Sequence, residues 1–246
     1  MTDEHNNIIR DNWLSEIINR DVYKVITENN LAAKATDQTI MESDLLKELQ
    51  SKPVFLYSKI PITSITSIKF IEGRGFNLID TNVIFEKPIA RHHEYVGNCT
   101  LRFATPEDKD KVTQLSRENF TYSRFHLDSN FTRDLANTIK AEWVKNYFIG
   151  ERGDTMIIAL SGNVIAGFLL LIYQDDSLII DLIATDNDFR RKGIARDMIV
   201  YAETQCHEFD QIRVGTQLAN MPSMRFYAST GFKIASAQYT FHYHSE

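Results

Sequence analysis

The sequence predicts a mixed α/β fold, and three observations lead to that prediction. A short apolar run, Leu178–Ala184, leads through a polar, basic loop into a helical apolar pattern that begins at Ile194. Two strand-like runs, Asp154–Leu160 and Val164–Tyr173, flank a Ser-Gly-Asn turn, which is a hairpin signal. Strand and helix patterns alternate through the second half of the chain in the order β-α-α-β-β-β-α-β-α-β, which is typical of a mixed sheet covered by helices.

The composition is that of an ordinary globular protein. The 246 residues are 43% hydrophobic and 24% charged, enough for one large or two small domains. A net charge of −6 without a long basic block argues against nucleic-acid binding. The two cysteines, Cys99 and Cys206, are far apart, which predicts neither a disulfide framework nor a zinc cluster. The polar, acidic start and an apolar run no longer than Ala166–Tyr173 predict a cytoplasmic protein with no membrane partner.

Helix and strand patterns alternate in the N-terminal region. Apolar spacing predicts three helices and two strands there: helices Asp11–Thr27, Thr39–Gln50 and Ser64–Glu72, and strands Pro53–Ile60 and Phe76–Lys87. Pro88–Asn98 is predicted to be a linker, and its two histidines have no further ligands at useful spacing, so we predict no metal site. We therefore expect a smaller α/β domain with its linker at residues 1–98 and a second domain at residues 99–246.

The second domain begins with a predicted strand, Thr100–Ala104. Thr105-Pro106-Glu107-Asp108 is a typical helix start, with a Thr cap, Pro in the first turn and acidic residues beside it. That helix is expected to end near Phe120, and a second amphipathic helix is predicted over Thr132–Lys145. A short strand, Gln211–Gly215, separates the last two predicted helices.

Two segments of the chain share a pattern at an offset of 156 residues, the separation of Gly75 and Gly231. Each segment has the order strand, helix, Gly-Phe, strand. The offset places like residues on one another: Phe70 on Phe226, Ser67 on Ser223, and Phe85 on Phe241. We hypothesise that the N-terminal region is a degenerate copy of part of the C-terminal fold. The alternative is that two strand–helix–strand units match by chance.

The basic loop has the composition of an anion site. Arg190-Arg191-Lys192-Gly193-Ile194-Ala195, of the form R-x-x-G-x-A, lies between a strand and a helix N-terminus. The first N–H groups of a helix have no intrahelical partner, and the helix dipole adds about half a positive charge there. Gly193 lets a ligand approach the backbone closely. By itself the motif is also compatible with a basic surface turn, and it matches neither a Walker loop nor a dinucleotide fingerprint.

A second motif follows the loop: Asn220-x-x-Ser223-x-x-Phe226-Tyr227-x-x-x-Gly231-Phe232. The two motifs in this order resemble the GNAT acetyltransferase superfamily, from about Thr100 to His244. The resemblance implies a mixed, splayed central sheet and acetyl-CoA as acetyl donor. It also implies cofactor contacts from the β-strand edge, the loop and the following helix: Leu182, Ile183, Ala184, Arg190, Arg191, Lys192, Gly193, Ile194, Ala195 and Asn220.

The same resemblance makes the N-terminal region a half-GNAT unit. At the positions equivalent to Asn220 and Tyr227, the N-terminal copy has Ser64 and Ile71. No R-x-x-G-x-A loop precedes these two residues. We therefore expect this copy to bind no cofactor.

Tyr227 is the candidate general acid that the resemblance implies. A phenol has a pKa near ~10, above the ~8.5 of a thiol, so it is protonated at pH 7 and can donate to a departing thiolate. The alternative is a core aromatic; we expect Phe226 to take the core position and Tyr227 to face the groove. Asn220 can also be a helix cap. For the base, Asp181 and His126 are candidates, a structural role for Asp181 stays open, and water suffices if the amine pKa is lowered.

Three further segments resemble the dTDP-fucosamine acetyltransferases. They are Ser123-Arg124-Phe125-His126, Asn146-Tyr147-Phe148-x-Gly150-x-Arg152-Gly153-Asp154 and Val214-Gly215-Thr216-Gln217-x-x-Asn220. The resemblance implies acetylation of the 4-amino group of a dTDP-linked dideoxy sugar, with substrate contacts from Arg124, Phe125, His126, Asp181 and Thr216.

Arg124 is suited to a diphosphate and the Phe125 ring to a base or sugar face. The alternative is that Arg124 pairs with Asp128 on the surface. Two other functions stay open: a GNAT acting on a protein N-terminus or polyamine, and a module that binds acetyl-CoA without turnover. Mixed charge in Ser123–Asp128 argues against a polyamine, and Asn220 with Tyr227 argues against a pure binding module. The oligomeric state stays open, with a homodimer as one alternative.

Overall fold

The computed structural model describes residues 8–27, 46–89, 97, 99–206 and 208–245. Its ten strands form one sheet in the order β1-β2-β3-β10-β4-β9-β8-β7-β6-β5. The strands are β1 Ile8–Arg10, β2 Asp21–Val25, β3 Val54–Pro61, β4 Asn77–Pro88, β5 Thr100–Phe103, β6 Thr155–Ser161, β7 Val164–Gln174, β8 Ser177–Thr185, β9 Gln211–Gln217 and β10 Lys233–Ser245. The helices are α1 Asn12–Ile18, α2 Ile65–Glu72, α3 Lys109–Asn119, α4 Arg124–Leu127, α5 Arg133–Phe148, α6 Ile194–Gln205 and α7 Met221–Ser229.

Strands β5 to β8 form an antiparallel meander that is covered on both faces. Ile157, Leu169 and Ile180 belong to a core beneath α6, and Ile158 and Phe168 belong to a second core beneath α3 and α5. Because β7 is buried on both faces, its sequence is a nearly continuous apolar run rather than an alternating one. None of the described helices is long and apolar enough to cross a lipid bilayer.

The N-terminal and C-terminal strands interleave in this sheet. Strand β10 lies between β3 and β4, and β4 lies between β10 and β9, in each case antiparallel to its neighbours. The expected domain boundary at residues 98 and 99 therefore does not coincide with a break in the sheet.

The pairing of β4 with β10 is symmetric under the 156-residue offset. Ile234 lies opposite Phe85 and Phe241 lies opposite Leu78, and each pair becomes the other when the offset is applied. The central pair, Gln238 with Asn82, maps onto itself, and the two register shifts also map onto each other. Two loop hydrogen bonds are related in the same way: Ile62 N–H to Ala237 O at 3.2 Å, and Leu218 N–H to Thr81 O at 2.8 Å.

The single helix predicted over Asp11–Thr27 is wrong. Helix α1 ends at Ile18, the left-handed Asn19 (φ 51°) turns the chain, and strand β2 follows. The Ser15 hydroxyl accepts the Val22 N–H at 3.0 Å and so fixes the turn between helix and strand. Over a short stretch, apolar spacing cannot distinguish a helix followed by a strand from one longer helix.

The remaining predicted elements agree with the structure within a few residues, and α4 was not predicted. Of the helix predicted over Thr39–Gln50, only residues 46–50 are described, and they are helical. The two histidines of the predicted linker lie outside the described residues.

Candidate active site

A groove opens in the centre of the sheet between β8 and β9. The two strands pair in parallel only where Ser177–Ile180 meets Gln211–Val214. Beyond those pairs β9 stays with β4 and leaves β8. The β8 residues after Ile180 consequently have no strand partner on the β9 side among the described residues, and they include the predicted cofactor contacts Leu182, Ile183 and Ala184. An extended ligand can add to this edge as a further strand.

The groove begins at a bulge on β8. Leu171 pairs with Ile180 and Leu170 with Leu182, so Asp181 has no counterpart on β7. Arg152 donates to both oxygens of Asp181, with Nε to Oδ2 at 2.7 Å and Nη2 to Oδ1 at 2.6 Å. Trp143 Nε1 donates to Oδ2 at 2.8 Å, and the Arg152 guanidinium lies 4.2 Å above the Trp143 ring. Both Asp181 oxygens are therefore engaged, which fits the structural alternative for this residue better than a base.

The basic loop lies at the far end of the same strand. Arg191 and Gly193 both have left-handed backbones, with φ 62° and 83°. A Cβ added at Gly193 would meet no atom within 4 Å, so the left-handed backbone and not packing favours glycine at this position. Arg190, Arg191 and Lys192 are exposed, and the Ile194 side chain begins α6 by entering the core. An exposed, cationic helix N-terminus with room above its glycine fits a diphosphate.

Asn220 and Tyr227 belong to α7, the helix that follows β9. Asn220 is the N-cap of that helix, and its side chain accepts the Ser223 N–H at 3.2 Å, so the capping role is confirmed. Tyr227 is 3% exposed and packs against Phe85 and Phe232, whereas Phe226 is half-buried. The expectation that Phe226 takes the core position and Tyr227 the outer one is therefore wrong.

The Tyr227 hydroxyl makes no hydrogen bond to a described residue, so it keeps its proton for a ligand. Burial raises the pKa of this phenol above its usual value of 10, so it stays protonated at every pH near neutrality.

Arg124 lies on the opposite side of the sheet from α6, above β3 and β10. Its guanidinium stacks 3.9 Å over the Tyr57 ring, and Nη1 is 3.2 Å from His242 Nε2. Burial lowers the pKa of Arg124, although an arginine with this lowering stays charged. Arg124 forms no ion pair with a described carboxylate, so the proposed Arg124–Asp128 surface pair is absent.

Asp128 instead holds two histidines of β10. His242 Nδ1 and His244 Nε2 lie 2.6 and 2.8 Å from the same carboxylate oxygen, and Asn130 occupies the other. These hydrogen bonds hold the pKa of Asp128 far below its usual value, although burial acts in the opposite direction. Burial lowers the pKa of His242 to about 4, so His242 is neutral and its Nε2 accepts from Arg124. These three residues could bind a metal ion by geometry, but the adjacent guanidinium disfavours a cation.

Residues 111–232 match the sequence model of the Acetyltransferase (GNAT) family. This chain contains a GNAT acetyltransferase domain. It is an acetyl-CoA-dependent N-acetyltransferase. The chain is also 27% identical over 237 residues to the spore coat polysaccharide biosynthesis protein SpsD of Bacillus subtilis. The matched region covers 94% of this chain and 80% of SpsD.

Solved structures share the fold of the GNAT chain. A GCN5-related N-acetyltransferase from Sphaerobacter thermophilus superposes with a TM-score of 0.61 at 12% identity, over 91% of this chain and 72% of the other. A tandem GNAT protein from the clavulanic acid biosynthesis pathway gives 0.63 at 10% identity, over 91% and 75%. The prediction of a GNAT fold with a mixed central sheet is confirmed.

Two of the predicted substrate contacts of this GNAT enzyme, Phe125 and Thr216, are buried, and a third, His126, is hydrogen-bonded through both ring nitrogens. Phe125 is 1% exposed and lies in the core beneath Arg124, so the prediction that its ring meets a base or sugar is wrong. Thr216 is buried on the helix-α6 face. His126 has both ring nitrogens engaged, with Ser123 Oγ at 2.6 Å and Asn137 Oδ1 at 2.9 Å. Burial lowers the pKa of His126, which keeps the ring neutral.

Two buried polar side chains near the GNAT groove were missed by the sequence reasoning. Asn82 of β4 is 6% exposed and has no hydrogen-bond partner among the described residues. A Cβ at Gly215 would lie 3.2 Å from its Nδ2, so Gly215 leaves room for this amide beside the point where β8 and β9 part. Lys140 of α5 is 8% exposed and also lacks a carboxylate partner. Neither residue lies in a motif, so only the fold could bring them to the site.

Proposed function

We propose that this enzyme moves the acetyl group of acetyl-CoA to the amino group of a nucleotide-linked 4-amino-4,6-dideoxyhexose, with dTDP as the nucleotide carrier. The observation that supports this acceptor best is a set of cationic side chains without ion-pair partners among the described residues, on the face of the sheet that carries Arg124. Arg124, Lys59 and Lys140 form no ion pair with a described carboxylate, and Asp181 is already engaged by Arg152. An anionic acceptor would pair with these cations, and a free amino sugar or polyamine would not.

Arg124 is the proposed diphosphate contact. Tyr57 and His242 hold its guanidinium from two sides, so little side-chain freedom remains to be lost on binding. An arginine fork matches phosphate oxygens well. The strands β3 and β10 beneath Arg124 are at least three strand spacings, roughly 14 Å, from the groove at β8. That separation leaves room for a hexose between the diphosphate and the reacting amine.

The bulge and the open edge of β8 define where the acetyl group would be presented. Acetyl-CoA supplies a thioester, whose carbonyl carbon accepts the amine while the carbon–sulfur bond breaks. We assign the pyrophosphate to the loop Arg190–Ala195 and the pantetheine arm to the free edge over Leu182, Ile183 and Ala184, with Asn220 on the facing wall. A backbone N–H of that edge can stabilise the charge that develops on the carbonyl oxygen.

Tyr227 is the proposed general acid. Its hydroxyl is protonated and has no partner among the described residues, so it can donate to the leaving sulfur. Its burial against Phe85 and Phe232 fixes the ring and excludes water from the proton that it carries.

The N-terminal region is, in this proposal, a degenerate half-GNAT unit that shapes the acceptor site. The symmetric pairing of β4 with β10 supports a common origin for the two halves. A tandem GNAT protein is among the structures that share the fold. The N-terminal strand β3 contributes Tyr57 and Lys59, and β4 contributes Asn82, so the first copy supplies acceptor-side groups while the second holds acetyl-CoA.

A thiol-release assay with acetyl-CoA tests the acceptor. The panel would contain dTDP-linked and UDP-linked 4-amino sugars, the free amino sugars, a polyamine and a peptide with a free N-terminus. We expect kcat/KM to be highest for a nucleotide-linked 4-amino sugar. Equal or higher kcat/KM for the free sugar, the polyamine or the peptide would reject the nucleotide-sugar assignment and leave the acetyltransferase activity standing.

A further inference from the structure

We propose that Lys140 is the group that removes the proton from the attacking amine. This inference rests on the proposed function for the side of the sheet on which the acceptor lies, and it does not depend on which sugar is bound. Contact with an anionic acceptor is enough to explain Arg124 and Lys59. Lys140 differs from these two residues in its burial and in its neighbours.

Lys140 is a buried ammonium without an anionic partner. Its Nζ lies over two aromatic rings, 4.6 Å from the centre of Trp143 and 5.0 Å from that of Phe120. Neither a hydrogen bond nor an ion pair connects Nζ with a described residue. Methionine or leucine could pack at this position without a desolvation cost, whereas a buried charge without a partner lowers stability. Packing alone therefore does not explain a lysine here.

The position of Lys140 connects it to the start of the groove. It packs on Trp143, and Trp143 donates to Asp181, the bulge residue at which β8 and β9 separate. Lys140 Nζ and the Asp181 carboxylate therefore contact the same indole ring, beside the point where the two strands separate. The α5 backbone is fixed there, because Ser116 Oγ donates to the Lys140 carbonyl at 2.8 Å.

Burial, more than the neighbouring charges, favours the neutral form of Lys140. Burial lowers the pKa of Lys140 to about 8, and the positive charges of Arg124 on α4, Arg152 after α5 and Lys59 on β3 act in the same direction. Asp181 on β8 acts against them. Burial and the charge of Lys140 lower the pKa of His126, so the His126 ring is neutral and adds no charge beside Lys140. With such a value, roughly a tenth of Lys140 is unprotonated at pH 7 and half at pH 8, which suits a base near neutral pH.

The alternative bases are already engaged. Both Asp181 oxygens accept hydrogen bonds, and both His126 ring nitrogens have partners. Protonation of Asp181 would weaken its ion pair with Arg152, and His126 could take a proton only with a change in its bond to Ser123 or Asn137. Lys140 Nζ has no such bond to a described residue.

The proposed step is balanced in atoms and electrons. The lone pair of the neutral acceptor amine bonds to the acetyl carbonyl carbon, and as this bond forms the Lys140 Nζ lone pair takes a proton from the now acidic nitrogen, whose N–H electrons stay on nitrogen. The carbon–sulfur bond then breaks, and sulfur takes the Tyr227 proton. Lys140 releases its proton to water, and Tyr227 regains one from water.

Two variants separate a base from an anion contact. Lys140→Arg keeps the charge but stays protonated, because a guanidinium does not titrate in this range. Lys140→Met keeps the length and removes both charge and base. For a base we expect kcat to fall on the order of 10²-fold or more in both variants, with the sugar-nucleotide KM within about threefold of wild type. If Lys140 only contacts a phosphate, Lys140→Arg should keep kcat and Lys140→Met should raise KM, and that result would overturn the proposal.

Matched controls and a pH profile complete the experiment. Lys145 lies on the same helix but is exposed and paired with Glu142, so Lys145→Arg and Lys145→Met should leave kcat unchanged. The wild-type kcat should rise with pH through a titration near pH 8. Both Lys140 variants should lack this rise. Acetyl-CoA affinity by calorimetry and a cooperative thermal transition show that each variant is folded. Should wild type prefer another amine in the panel, the proposed acceptor fails, and the same variants assayed with that amine still test Lys140.

Discussion

The two strand–helix–strand units of this enzyme have the same backbone and different chemistry. In the first, β3-α2-β4, Ile71 is fully buried; at the equivalent place of the second, β9-α7-β10, Tyr227 is 3% exposed and carries a hydroxyl. Both units end their helix alike: Phe76 N–H bonds to Ile71 O, and Phe232 N–H bonds to Tyr227 O. The symmetric part is the hydrogen-bonded frame, and the asymmetric part is a small set of side chains.

The parallel pairs that precede each unit show how a groove is opened or kept closed. Strand β2 pairs with β3 over four residues and β8 pairs with β9 over four residues. In the second case a bulge at Asp181 parts the strands. In the first, the Ser58 hydroxyl donates to the Val25 carbonyl at 2.7 Å and closes the position where the strands would part. In our proposal, cofactor binding therefore depends on a local change at the strand edge and not on the overall topology.

The largest effect is expected for Tyr227→Phe, which makes the second unit chemically like the first. The ring and its packing remain, and only the proton donor is lost. We expect kcat to fall on the order of 10²- to 10⁴-fold with little change in acetyl-CoA affinity. Tyr239→Phe, on the first-half core, is the control and should keep full activity. Turnover of Tyr227→Phe within a factor of two of wild type would return this tyrosine to the role of a core aromatic.

The second largest effect is expected for Arg124→Ala. This change tests the proposed acceptor site, to which the first half of the chain contributes Tyr57 and Lys59. Without the guanidinium, the sugar-nucleotide KM should rise at least tenfold, about 1.4 kcal/mol, and the acetyl-CoA KM should stay near its original value. The preference for the nucleotide-linked over the free sugar should disappear. Arg117→Ala, a surface change, serves as control. An unchanged preference would mean that Arg124 only supports the fold.

A loss of similar size, in this case in acetyl-CoA affinity, is expected for Gly193→Asp, which places a carboxylate in the cationic loop. The first half of the chain has no such loop. Acetyl-CoA affinity, measured by calorimetry, should fall about tenfold or more, about 1.4 kcal/mol. Gly150→Asp is a close match, since Gly150 has φ 80° and equally open space around its Cβ but lies outside the loop Arg190–Ala195. Equal affinities for the two variants would remove the loop from the cofactor site.

The smallest effect is expected for Ser58→Ala, which removes the hydroxyl that closes the first-half strands. Loss of one buried hydrogen bond should lower the free energy of unfolding by about 1 kcal/mol in denaturant titration. Because this edge holds no cofactor in our proposal, kcat and both KM values should not change. A changed acetyl-CoA KM would show that the first half takes part in cofactor binding.

Local patterns in the sequence predicted most strands and helices of the second half, because caps, glycine turns and apolar periodicity act within a few residues. The loop Arg190–Ala195 and the Asn220 cap are of this kind. The error at Asp11–Thr27 arose where a helix and a strand share one apolar pattern and are divided only by Asn19 in a left-handed turn. The 156-residue offset was visible in the sequence, but its meaning for strand order was not.

Only the tertiary structure decided which distant side chains meet and which become buried. Phe125 and Arg124 are adjacent in the sequence, yet the first is in the core and the second faces the basic side of the sheet. Lys140 looks like any lysine on an amphipathic helix until α5 packs its stem against Trp143 and Phe120. Burial, and with it the pKa of an ionisable group, depends on neighbours from other elements. The sequence by itself determined most of the helices and strands and the two motifs, and long-range packing determined the strand order and the electrostatics of the basic side of the sheet.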